Sequence, residues 1–182
     1  MNIREDAHQL NREQALPIVL LHGTSGESED WSRVIGQLAK HRQVLRPHYA
    51  EPIAGIDSSN GPAVSDFAAR VVAAARGDGS HRFDLVGYSL GAAVATFLAA
   101  EYSEMVRSLV LISGFSHCSD TWMKLQFNLW LRLARTDKIA LTKLLLTSGL
   151  SREFLSAFDE STLDGIVDSF VTSTDWPLIE QA

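Results

Sequence analysis

The sequence predicts an α/β fold: a mostly parallel β-sheet flanked by helices, followed by a purely helical segment. Three observations predict it. Short apolar runs rich in β-branched residues alternate with amphipathic helical patterns as far as Ser113; the alternation stops at Thr121; and from there to Ala182 only helical spacing recurs. Strands alternating with helices imply βαβ crossovers and a parallel sheet covered on both faces. Two parts follow, a sheet-forming part over residues 1–120 and a helical part over residues 121–182.

The run PIVLL, residues 17–21, is continuously apolar and ends at His22-Gly23, which suits a strand buried on both faces. Ser28 is the expected N-cap of a helix in which Trp31, Val34, Ile35 and Leu38 share one face. Gln43 to Leu45 reads as a second strand, limited by Pro47. EPIAGIDSSNGP, residues 51–62, has loop composition; Val64, Phe67, Ala68 and Val71 then repeat the helical spacing up to Gly77 and Gly79. Phe83 to Val86 is a third strand, Leu90 to Tyr102 a third helix and Ser108 to Ser113 a fourth strand. Residues 85–100 carry no charge, so the third helix is expected to lie buried on the sheet. The later helices are expected over residues 122–134, 138–146, 152–158 and 163–170.

Composition narrows the function. The net charge of −6, with basic residues scattered, gives no clustered cation for nucleic acid or an anionic membrane. Apolar residues make up 46% of the chain, enough for a core, and the single cysteine, Cys118, cannot form an internal disulfide. The polar start MNIREDAHQLNREQ has no apolar signal-peptide core, so a cytoplasmic location is expected. The HCSD run at 117–120 contains ligand types but not three or four convergent donors, so no metal is expected.

The chemistry concentrates in FDLVGYSLGAA, where Ser89 stands between Gly87 and Gly91 at the strand-to-helix junction. Side chains larger than hydrogen at the flanking positions would clash in so sharp a turn. The glycines let the serine project from the top of the sheet, and the following helix adds a field favourable to negative charge. The pattern is short and acquires weight from its context, together with His22-Gly23-Thr24 after the first buried strand.

From Pro17 to about Phe115 the chain resembles the α/β-hydrolase superfamily, on PIVLLHGT, the Trp31 some eight residues later, FDLVGYSLGAA and RSLVLISGF. The resemblance implies Ser89 as catalytic nucleophile, backbone N–H groups of Thr24 and Leu90 as an oxyanion hole, and Gly23 in contact with substrate. It implies hydrolysis of esters, thioesters, lactones or related acyl groups without a cofactor. The helical stretch from Thr121 looks like the cap that many members insert, and its apolar residues suggest a small, hydrophobic ester-like substrate. His22 is expected to brace the oxyanion loop, and Trp31 to pack the first helix.

The departure lies downstream. Members carry the acid after the seventh strand and the histidine after the eighth, in the order Ser, acid, His. Residues 1–182 offer no place for those strands, so the fold is expected to be incomplete, with acid and base supplied by a C-terminal segment or a complementing chain. Of the six histidines only His117 follows Ser89, with Asp120 as the conceivable orienter. The alternative is a non-catalytic interaction protein built on a hydrolase core. Either way, a last strand over residues 108–113 leaves an open edge suited to self-association.

Overall fold

The apolar runs become the strands of one four-stranded parallel sheet in a computed structural model that describes residues 15–24, 31–48, 63–115, 117, 120–174 and 176–181. The strands are β1 (Ile18–Leu21), β2 (Val44–Leu45), β3 (Phe83–Tyr88) and β4 (Val106–Ile112), in the order β2-β1-β3-β4. Every residue of β1 is buried, as its unbroken apolar run requires. Strand β2 has only two residues. Strand β4 begins two residues before its predicted start and ends at Ile112, because Ser113 turns to φ 52° and leaves the extended region.

Three helices connect these strands: α1 (Ser32–Leu38), α2 (Val64–Gly77) and α3 (Leu90–Glu101). Ser28 lies outside the described residues; the residue capping α1 is Trp31, with no side-chain cap bond. Trp31 packs with Ile18 and Leu20, and Ile35, Leu38, Val44 and Val86 close around them. Helix α2 buries Phe67, Ala68, Val71, Val72 and Ala75. Asp66 accepts the Ala63 N–H at 2.8 Å, satisfying one of the donors that a helix start leaves open. Helix α3 buries Leu90, Gly91, Ala92, Val94, Ala95 and Leu98, as its freedom from charge predicts. The whole EPIAGIDSSNGP stretch and Cys118 lie outside the described residues.

At the far end of β3 from Gly87, the buried carboxylate of Asp84 ties the sheet together. It accepts hydrogen bonds from Arg42 ahead of β2, from Arg107 on β4 (Nε to Oδ1, 2.8 Å) and from the Ser108 hydroxyl at 2.6 Å. Burial pushes its pKa up, but the bonds from Arg107, Ser108 and Arg42 outweigh burial and hold it at about 2.

The packing divides the chain into two compact units, Met1–Ser116 with Gln181–Ala182, and His117–Glu180. The second unit is helical throughout its described residues: α4 (Thr121–Thr136), α5 (Lys138–Gly149), α6 (Arg152–Leu155), α7 (Glu160–Ser173) and α8 (Trp176–Gln181). Helix α6 is shorter than its predicted range, and α8 was not predicted. Asp120, Asp137, Ser151 and Asp159 each accept the backbone N–H three residues on, capping α4, α5, α6 and α7 in turn. The core of this unit gathers Ala134, Leu141 and Trp176, with Trp130, Leu133, Leu145 and Val171 around them. Among the described residues no helix is long and apolar enough to cross a membrane.

Candidate active site

Ser89 occupies the corner between β3 and α3, with φ 53° and ψ −116°. Positive φ in a residue with a Cβ costs about 1 to 3 kcal/mol and persists only where surrounding structure fixes it. Three bonds do so. The Ser89 N–H donates to the carbonyl of Ile112 at 3.0 Å, and the Ser89 carbonyl accepts from Ala92 N at 2.9 Å and Ala93 N at 3.3 Å. The corner is thus fastened to the neighbouring strand on one side and to the first turn of α3 on the other.

The two glycines are required for different reasons. A Cβ at Gly87 would overlap the carbonyl of Gly91 and come within 2.7 Å of the Ala92 Cα, so it closes the turn from strand to helix. A Cβ at Gly91 would overlap the carbonyl oxygen of Leu21 and lie 2.6 Å from that of His22, so this glycine lets α3 press directly on β1. The sequence reading assigned both glycines to the tightness of the turn and Gly91 also to close packing of the helix on the sheet; Gly87 serves the first and Gly91 the second.

The loop after β1 comes to the same place. A Cβ on Gly23 would meet the Tyr88 ring at 3.2 Å and the Ser89 Cβ at 3.4 Å, which sets the Gly23 backbone against the corner. His22 is buried, and its Nδ1 lies 2.8 Å from the Gly23 carbonyl, to which it donates. That bond braces the loop as expected of His22. The His48 ring stands 5.3 Å from it, at a tilt of 40°.

Leu90 is buried at the first position of α3, whose N-terminus brings the positive end of the helix dipole to the corner. The residue stands at the carboxyl end of a parallel strand, the edge outside which open α/β sheets bind ligands. His117 is exposed and belongs to the second unit, whereas Ser89 belongs to the first; Asp120 Oδ1 receives the Met123 N–H at 2.9 Å as a helix cap. Sequence reasoning missed Ser113, whose φ of 52° places a second strained serine at the end of the adjacent strand. Gly114 follows it, where a Cβ would lie 2.8 Å from that of Ala92. The signal was the SG pair after an apolar run, a turn marker.

A parallel sheet flanked by helices, with a serine held at positive φ between β3 and α3, defines an α/β protein with a strained serine elbow. The chain belongs to the alpha/beta hydrolase fold family, whose family model matches residues 17–177. It is 41% identical over 162 residues to pyrrolizixenacetamide deacetylase of Xenorhabdus hominickii, an alignment covering 87% of this chain and 60% of that protein. Among solved structures it is similar to MGS-M2, an α/β hydrolase enzyme from a Medee basin deep-sea metagenome library, with a TM-score of 0.77 and 19% identity over 92% of this chain and 62% of the other. The enol-lactonase of Burkholderia xenovorans LB400 gives a TM-score of 0.73 and 19% identity, over 93% and 64% of the two chains. The chain therefore spans somewhat over three fifths of these proteins' length.

Proposed function

We propose that this chain carries the nucleophile and oxyanion hole of a hydrolase that removes a small acyl group, with Ser89 as the nucleophile. The observation that supports it most is the pair formed by the strained φ of Ser89 and the approach of Gly23 to its Cβ. Strain concentrates where geometry serves chemistry, and the close approach of Gly23 to the Ser89 Cβ supports a role for the loop after β1 in that chemistry. In this reading the Ser89 oxygen adds to the substrate carbonyl while a histidine takes its proton. The tetrahedral oxyanion is held by the N–H groups of Thr24 and Leu90; the leaving group departs with that proton, and water then releases the acid and restores the serine. The Gly23 backbone lines the substrate side.

The histidine and its acid are assigned to the part of the relatives' length that these residues do not span. Acetyl is the preferred acyl group, because the curated relative at 41% identity is a deacetylase. A fluorophosphonate probe tests the reading. Labelling lost in Ser89→Ala and retained in His117→Ala supports it. Labelling of wild type and Ser89→Ala alike, or none in a protein extended to the relatives' full length, overturns it.

A second reading, a binding protein that pairs through its sheet edge, draws on one observation. Leu109, Val110, Leu111 and Ile112 on β4 are 37 to 50% exposed, successive residues on both faces of an outer strand. No charge interrupts Ser108 to Ile112, so two copies could pair antiparallel about a twofold axis.

A further inference from the structure

We infer that a groove beside β2 and α2, separate from the Ser89 corner, binds a small carboxylate with an apolar tail. This goes beyond the hydrolase reading and does not depend on it. The groove measures about 370 Å³. Its floor is apolar, made by Val19 of β1, Leu45 of β2 and Val71 and Ala75 of α2. Arg46 and Arg70 stand on its lining.

Arg70 holds a buried donor without a partner among the described residues, and the exposed Arg46 adds a second cation to the lining. The Nε–H of Arg70 is buried and has no acceptor among the described residues, although leaving a buried donor unpaired costs about 1 to 3 kcal/mol. The guanidinium lies 5.8 Å from the Phe67 ring centroid, a contact that supports the cation without accepting a hydrogen bond. Asp66, one helical turn before Arg70 and its natural ion-pair partner, is turned instead to the Ala63 N–H. Asp78 also lines the groove, but its Oδ2 receives the Gln43 side-chain amide at 2.5 Å. Among the described residues no carboxylate forms an ion pair with Arg46 or Arg70.

A planar carboxylate matches the donor fork of a guanidinium and supplies the missing acceptors. The aliphatic floor beneath then favours a tail over a bare anion. Octanoate is the probe, with octan-1-ol as the uncharged control, followed by residue-resolved NMR titration of the whole chain. The expected result is saturable shifts centred on the amides of Leu45, Arg46, Arg70 and Ala75. Binding should weaken about tenfold or more in Arg70→Gln and in Arg46→Gln, and octan-1-ol should bind correspondingly weakly. The variant spectra also report whether each protein remains folded. Shifts centred on Thr24 and Leu90 that survive both substitutions would assign octanoate to the Ser89 corner and overturn the inference while leaving the hydrolase reading intact. Equal affinity for octan-1-ol, or no shift at millimolar octanoate, also overturns it.

Discussion

At Ser89 one residue accepts an unfavourable backbone conformation, and its neighbours are chosen to permit it. The cost is local, and so are the consequences of changing those neighbours. Gly91→Ala would drive a methyl into the backbone of β1, where nothing flexible can yield, and is expected to destabilise the fold by about 2 to 4 kcal/mol in urea titrations. Gly87→Ala should do the same through α3. A Gly36→Ala control, where the added methyl meets nothing within 4 Å, should leave the midpoint unchanged or raise it slightly. Asp84 gives a second residue-scale test. Its folded pKa of about 2 lies below the ordinary 3.8, so its contribution is fully present above pH 4 and fades as pH falls toward 2. The shift corresponds to about 2 kcal/mol. Unfolding measured from pH 7 to pH 2 should show stability falling in that window, and Asp84→Asn should be less stable at pH 7 with much of that fall removed.

At the scale of elements, what could be read in advance depended on whether the signal was local. The strands of this sheet were legible from their apolar runs: PIVLL yields β1, buried at every residue, whereas LVLI shows the same pattern on β4, whose residues from Arg107 onward are exposed. Their ends were less legible: β3 runs on to Tyr88 and β4 begins at Val106 because pairing with a neighbour, absent from any local pattern, extends the ladder. Helix α8 escaped notice since its packing rests on Trp176 meeting Leu141 and Ala134, contacts far apart in sequence. The N-caps Asp120, Asp137 and Asp159 were present as plain sequence signals and mark the helix starts better than the apolar spacing did. Removing one cap by Asp159→Ala should lower helical stability by about 1 kcal/mol, read as a shift in thermal midpoint. Strand β4 supplies the other test at this scale. If two copies pair through it, light scattering should report a dimer that Val110→Lys converts to monomer; a monomeric wild type with slowly exchanging β4 amides argues against the pairing.

For the molecule as a whole, the family and the place of the candidate site were visible in some eighty residues, from the first strand to the end of the third helix. The glycine spacing, the buried strands and the uncharged helix all express one geometric requirement. What sequence could not supply was the partner of the serine, because a catalytic histidine is defined by position in space and the family draws it from the far end of the fold. The chain spans 60% of its curated relative, and the proposed reaction needs both halves of that chemistry. The corner is tested by trapping the serine with both halves present. A crystal structure of the phosphonylated chain is the direct measurement: the account predicts phosphorus on Ser89 Oγ and its phosphoryl oxygen within about 3.1 Å of the amides of both Thr24 and Leu90. Density for the group on another residue, or on Ser89 with that oxygen facing away from both amides, would contradict it.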